Sequence, residues 1–174
     1  AFGSNGRFFT ILAANLPGGR GMGEPLRLMI DLPNEAEIID LFIHDPKIKR
    51  LVASTAGDGF VVNETEIVAQ TRSGRQVLNV KGETKALTSQ PIQGKYVACI
   101  GENRKMLVFD ISELPEMNRG KGVRLQKYKD GGLSDVTTFS MENGLSWKDP
   151  AERTRTVEEV ELQEWIGKRA GAGR

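Results

Sequence analysis

Residues 118–130, NRGKGVRLQKYKD, hold Arg119, Lys121, Arg124, Lys127 and Lys129 against a single acid, Asp130. Cations interleaved with glycines suit one chemistry above others. They neutralise phosphate oxygens while a backbone without Cβ atoms lets the anion come close. A looser copy, LPGGRGMGEPLRL, carries Arg20 at residues 16–28, and a weaker one, RSGRQVLNV, carries Arg72 and Arg75 at 72–80. A fourth, RAGAGR, occupies 169–174. By contrast DLPNEAEIIDLFIHDP, residues 31–46, holds Asp31, Glu35, Glu37, Asp40 and Asp45 with no Lys or Arg. The formal net charge is only +1, so any attraction for a polyanion is local to the glycine motifs and not a field of the whole molecule.

Other reactive residue types do not assemble into a site. His44 is the only histidine and sits in IHDPK beside Asp45, without a nucleophile near it, so it reads as a surface turn. Cys99 lies in the apolar run YVACI and reads as a small core residue. Glu158, Glu159 and Glu161 lack histidine partners and read as a solvated face. Tyr96 reads as part of a strand. Tyr128, between Lys127 and Lys129, fits either a surface position or one beside phosphate. Trp147 and Trp165 read as packing residues. No phosphate-binding loop of the nucleotide-hydrolysing type is present, so neither catalysis nor a metal is expected of this chain.

The elements that position these motifs follow from repetition. Gly21, Ser73, Gly120 and Gly171 recur about every fifty residues, the signature of a repeat architecture. A second series interleaves with them: Asn5-Gly6, Asp58-Gly59 and Asn143-Gly144, with Asn103 in GENRKM as a fourth member. Such pairs supply the positive φ that tight hairpins need. Each is flanked by short apolar or β-branched runs such as LVAS and FVVN, or YVACI and KMLVF. AEIIDLF (36–42) and RQVLNV (75–80) also read as strands, giving roughly four strands per repeat in an all-β array. The repeats run approximately 20–71, 72–118 and 119–170, with partial repeats at both ends, as expected of a piece of a longer array. DISEL (110–114) reads as one helical turn, and TVEEVELQEWIGKR (156–169) as a short connecting helix. Arg104 and Lys105 fall at a hairpin tip and Arg7 just after one, positions where charges also guard sheet edges. Lys47, Lys49 and Arg50 read as an exposed loop. With 39% hydrophobic and 27% charged residues the chain can bury a core. Its single cysteine excludes an internal disulfide framework, and no apolar run reaches membrane-spanning length. A soluble cytoplasmic chain is expected.

Strand, Asn-Gly or Asp-Gly hairpin, strand, Leu-Pro, then Arg-Gly-x-Gly-x-x-Leu resembles the repeat of the C-terminal domain of bacterial type IIA topoisomerase A subunits. The segments that carry it are residues 4–31, SNGRFFTILAANLPGGRGMGEPLRLMID, and 109–135, FDISELPEMNRGKGVRLQKYKDGGLSD, together with 143–174. The resemblance spans essentially the whole chain and favours the A subunit of topoisomerase IV, with that of gyrase second. The gyrase wrapping box, Gln-Arg-Arg-Gly-Gly-Lys-Gly, is not present: EMNRGKG (116–122) keeps only its final Gly-Lys-Gly in register.

The resemblance implies a β-pinwheel, a propeller-like disc whose blades exchange strands and whose rim binds and bends duplex DNA. The candidate DNA contacts are Arg119, Lys121, Arg124 and Lys127, then Arg20, Arg72, Arg75, Arg104, Lys105 and Arg7. No cofactor is expected in the domain. ATP and Mg would belong to other parts of the enzyme, as would the catalytic tyrosine. Its partners would be double-stranded DNA, the topoisomerase IV B subunit and the remainder of the A subunit, on the chromosome and not at a membrane. The competing reading is a β-propeller scaffold that binds protein, for which the near-neutral charge argues.

Overall fold

The computed structural model describes residues 1–174. Four hairpins of a single design organise it: β1 (Phe2–Gly3) with β2 (Arg7–Phe8), β4 (Lys49–Ser54) with β5 (Asp58–Asn63), β8 (Tyr96–Gly101) with β9 (Met106–Asp110), and β12 (Leu145–Lys148) with β13 (Thr154–Val157). The cross-strand pairs nearest the tips are Phe2 with Phe8, Ala53 with Gly59, Ile100 with Met106 and Lys148 with Thr154, so all four tips have the same length. Within each, one residue donates its N–H to the carbonyl three positions back: Gly6 to Gly3, Gly57 to Ser54, Arg104 to Gly101 and Glu152 to Asp149, every one at 2.9 Å. These four donors have φ of 78°, 88°, 63° and 60°. Glycine occupies two of the four left-handed positions, and at Arg104 and Glu152 the surrounding turn imposes the conformation on a side chain that disfavours it by about 1 kcal/mol.

This geometry corrects two turn assignments made from the sequence. Asp58-Gly59 opens β5, and the tip residue is Gly57. Gly59 is required instead by close packing, since a Cβ there would lie 2.5 Å from the Val52 carbonyl oxygen. Asn143-Gly144 closes a 3-10 turn, Met141–Asn143, that leads into β12, while the fourth tip lies within KDPAERT. Asn5-Gly6 and the tip at Asn103 are where the sequence puts them.

Each hairpin then sends the chain through a glycine motif to the neighbouring unit and back. After the second hairpin, β6 (Arg75–Gln76) adds to β2 of the first, and β7 (Ala86–Pro91) returns onto β4. After the third, β10 (Val123–Arg124) adds to β5 of the second, and β11 (Leu133–Phe139) returns onto β8. After the fourth, Arg174 exchanges backbone hydrogen bonds with Met106 at 2.8 and 3.0 Å. The sheets are β3 (Ile38–Asp40)-β1-β2-β6, β10-β5-β4-β7, β11-β8-β9 and the two-stranded β12-β13, antiparallel throughout. The fold is therefore a propeller-like array with strand exchange between blades.

The core sits in the seams between sheets. Strand side chains alternate faces, so Val52 faces the first seam with Phe2, Phe8, Phe60 and Leu78, while Leu51 and Ala53 face the second with Val97, Cys99, Phe109 and Leu125. The third seam joins Ala98 and Val108 to Leu145 and Leu162. Strands buried on both faces read as continuous apolar runs, which is why YVACI and KMLVF stood out. The connector 156–169 is only partly helical: β13 reaches Val157, α1 covers Glu159–Leu162, and a 3-10 turn follows at Gln163–Trp165. No helix is long and apolar enough to cross a membrane.

Candidate nucleic-acid interface

The glycine motifs form the junctions between blades, and their backbone is set by contact. Gly74, Gly122 and Gly173 have φ of 75°, 84° and 76°. A Cβ on them would lie 2.7, 2.4 and 2.4 Å from the carbonyl oxygens of Phe8, Gly59 and Met106, the edges on which the motifs dock. Consecutive motifs also bond to one another: Asn79 N–H donates to Gly120 at 2.8 Å, and Lys127 N–H to Gly171 at 2.8 Å. A hydrogen-bonded ladder thus runs across the junctions and carries the motif cations with it.

The ten candidate cations divide by what they touch. Arg7 is half-buried, and its guanidinium donates to the carbonyls of Ser73 and Gly74 at 3.2 and 3.4 Å, clamping the second motif to the first hairpin. Arg72 donates to the Leu28 carbonyl at 2.9 Å and pairs with Asp31 at 3.4 Å. Arg75 faces Glu66 at 3.6 Å, and Lys121 faces the buried carboxylate of Asp58 at 3.4 Å. Arg119 is exposed, with Asn79 Oδ1 at 3.5 Å as its polar neighbour. Arg20, Arg104, Lys105, Arg124 and Lys127 are exposed, and no carboxylate lies within ion-pair distance of them.

Three of the ten converge. Arg7, Arg75 and Arg119, from three distant stretches of chain, line one open polar cleft of about 460 Å³ together with Gln70, Gly74 and Gln76. Its lining carries three cations and no acid, with Glu66 reaching Arg75 from outside the lining at 3.6 Å, so the net charge of the lining suits an anion. The third motif contributes a second group. Gln126 donates through Nε2 to the Lys105 carbonyl at 3.1 Å, which ties the tip carrying Arg104 and Lys105 to the stretch carrying Arg124 and Lys127. Arg20 stands apart on the first motif, where Gly21 and Gly23 meet open space.

Some residues depart from their sequence reading, while Cys99 and Trp165 keep theirs. Arg50, expected in an exposed loop, is buried in β4. Its guanidinium bonds Asp40 at 2.8 Å, Glu64 at 3.1 Å and Ser89 Oγ at 2.8 Å, and lies 3.6 Å above the Phe42 ring. Glu64 is fully buried and also accepts from Asp45 N–H and faces His44 Nδ1, both at 2.9 Å. His44 thus stays at the surface, as the sequence suggests, but its Nδ1 contacts the buried Glu64, a pairing that sequence spacing gives no sign of. Tyr128 is a wedge between two hairpin tips. Its ring blocks the Cβ positions of Gly57 and Gly101 at 2.5 and 2.9 Å, and burial raises its phenol pKa well above the ordinary value. Trp147 is 48% exposed, whereas Trp165 packs against the third seam. Cys99 is fully buried, and burial holds its thiol in the protonated form. No group of His, Cys, Asp and Glu is arranged to hold a metal ion.

Comparison with known proteins agrees with this architecture. The family described as DNA gyrase C-terminal domain, beta-propeller, matches residues 51–83 and 95–137. The A subunit of DNA topoisomerase 4 from Caulobacter vibrioides is 47% identical over 173 residues, which is 99% of this chain and 22% of that protein. Its counterpart from Rickettsia bellii is 43% identical over 171 residues, 98% of this chain and 23% of that protein. The chain thus spans less than a quarter of the length of these relatives. Among solved structures, the E. coli ParC C-terminal domain superposes with a TM-score of 0.86 at 26% identity, covering 99% of this chain and 74% of that one.

Proposed function

Because the chain belongs to the C-terminal β-propeller domains of bacterial type IIA topoisomerase A subunits, we propose that it binds duplex DNA along its motif junctions and bends it. The bent duplex would be presented to a DNA-cleaving core carried elsewhere in a topoisomerase IV, for relaxation or decatenation. The observation that carries this reading is the convergence of Arg7, Arg75 and Arg119 on one acid-free cleft. A side-chain cluster of that kind, beside a second group at Arg104, Lys105, Arg124 and Lys127, spaces positive charge along a hydrogen-bonded ladder and not in one spot.

Contacts of this sort grip phosphates and position a duplex without reading its sequence. Because the cations sit on successive junctions of a curved array, a straight duplex touches few of them and a bent one touches more. The added contacts offset the elastic cost of bending, which is about 1–6 kcal/mol for a site of a few helical turns. Arg7, Arg72, Arg75 and Lys121 each also bond a protein carbonyl or carboxylate, so on this reading they brace the ladder while adding positive charge to it, and Arg119, Arg124 and Lys127 make the closer phosphate contacts. In the same reading the chain performs no bond chemistry. ATP, Mg²⁺ and the catalytic tyrosine are assigned to other parts of a cytoplasmic, chromosome-associated enzyme formed with a B subunit and the rest of the A subunit. The absence of a full wrapping box from EMNRGKG (116–122) favours topoisomerase IV over gyrase.

The experiment is end-to-end energy transfer in a duplex of about forty base pairs, labelled at both termini and titrated with the protein at low salt. Increased transfer on binding supports bending. Binding without a change in transfer removes the bending claim, and no binding at all favours a protein-binding scaffold.

A further inference from the structure

One position in the hairpins breaks a rule of charge. The tip donors Gly6, Gly57, Arg104 and Glu152 are followed directly by Arg7, Asp58, Lys105 and Arg153, three cations and one acid. In the first hairpin this position reaches the docked motif, where Arg7 donates to the carbonyls of Ser73 and Gly74. Gly74 and Gly122 dock alike, against the carbonyls of Phe8 and Gly59. Lys121 and Gly122 therefore stand on the second hairpin where Ser73 and Gly74 stand on the first. Asp58 has no proton to give their carbonyls. Its carboxylate takes the Lys121 ammonium instead, at 3.4 Å. The polarity of the contact is reversed: the hairpin supplies the anion and the motif supplies the cation.

The two partners are unevenly placed. The Asp58 side chain is 6% exposed and that of Lys121 is 71% exposed. Lys121 is the one cation within ion-pair distance of Asp58. Arg124, its cross-strand partner on β10, is exposed and lies beyond that distance. Withdrawing a carboxylate from water is costly, and pairing it with an exposed lysine returns little. The pair thus does little for stability, and its larger effect is on charge. The Lys121 stem is flexible enough to swing toward a phosphate, but doing so leaves a nearly buried carboxylate unpaired, which is unfavourable. The cleft of Arg7, Arg75 and Arg119 has no acid in its lining. At the second hairpin, Asp58 cancels Lys121 and leaves the charge to Arg124 and Lys127.

We propose that Asp58 is a counter-charge built into the second hairpin, which holds Lys121 away from phosphate and so limits the grip of the third motif on DNA. The inference rests on the DNA-binding reading above. Within one motif the grip is then uneven, firm at Arg119 and weak at Lys121.

The test is binding of the whole chain to a duplex of about forty base pairs across a salt series. Each phosphate contact contributes about −0.9 to the slope of log K against log salt. Asp58→Asn keeps the shape of the side chain, removes its charge and frees Lys121, so the slope should steepen by about 0.9. Measured against binding at 1 M salt, that is about eightfold tighter binding at 0.1 M. Lys121→Ala alone should change the wild-type slope by much less than one contact. In the double variant the gain from Asp58→Asn should vanish. An Asp58→Asn slope equal to that of the wild type overturns the proposal, as does a gain that survives Lys121→Ala. So does the loss of a full contact from Lys121→Ala alone, a measurement on an exposed side chain that stands even where Asp58→Asn fails to fold. A wild type that binds no duplex at low salt removes the DNA-binding reading and this inference with it. A wild type that binds, with Asp58→Asn matching it, removes the counter-charge alone.

Discussion

Replacing Gly122 with alanine should separate the role of the docked motifs from that of mere flexibility. Its φ of 84° costs an L-residue about 1 kcal/mol, taking the lower end of the left-handed penalty. The added Cβ would also lie 2.4 Å from the Gly59 carbonyl oxygen, a backbone atom that cannot swing aside. The motif must then move off β5, weakening the Val123–Gly59 pairing and the 2.9 Å bond from Leu125 to Gly57. Two backbone bonds at about 1 kcal/mol each bring the total to about 3 kcal/mol. Gly23→Ala carries the same conformational cost without the collision, about 1 kcal/mol and confined to an undocked segment. With a urea slope of about 2 kcal/mol/M, the Gly122 variant should unfold about 1.5 M earlier than the wild type. The Gly23 variant should shift by no more than a third of that in dilute solution. Equal shifts in urea-monitored fluorescence would refute the argument, because both glycines would then be serving only their backbone angle.

Further outcomes follow from the buried groups. Glu64→Ala leaves the buried Arg50 guanidinium with Asp40 as its only carboxylate and removes the acceptor of the Asp45 N–H, and should destabilise by about 1–3 kcal/mol, read as a drop in melting temperature. Cys99 should resist a thiol reagent in the native protein and react at the rate of global unfolding, since burial keeps it protonated; fast labelling would contradict its place in the seam. Asp149 accepts from the Arg153 N–H, then from the Ala151 N–H and the Arg155 and Arg153 guanidinium groups, which lower its pKa below the ordinary carboxylate value. A depressed carboxylate stabilises the fold above its unfolded pKa, and that contribution is lost as pH falls through the folded one. The tip of the fourth hairpin should therefore lose some of its support in acid, reported by Trp147 emission, and Asp149→Asn should lose that pH step.

Much of the fold was legible because the strands are buried on both faces and the motifs repeat. YVACI and KMLVF announce a hairpin by composition alone, and the glycine motifs mark the crossings between blades. Turn positions were less legible. Asp58-Gly59 and Asn143-Gly144 look like tips, but the real tips are fixed by one left-handed residue per hairpin, filled by Arg104 and Glu152 in two cases. No residue preference announces those. Arg50 was misread for a related reason: its partners Asp40, Glu64 and Ser89 lie on other strands and are brought to it only by the register. The candidate contacts were legible as a set of cations. Their division into residues that clamp a neighbouring segment and residues left free was not, since Arg7 meets Ser73 and Gly74 only when the second motif crosses over.

The salt dependence of duplex binding tests the central claim most directly. It should be compared between the wild type and a variant with Arg119, Arg124 and Lys127 changed to alanine, none of which bonds a carboxylate. Each phosphate contact contributes about −0.9 to the slope of log K against log salt, so the variant should flatten the slope by about 3. A wild type whose binding ignores salt, or a variant with an unchanged slope, would contradict a DNA path along the motif junctions.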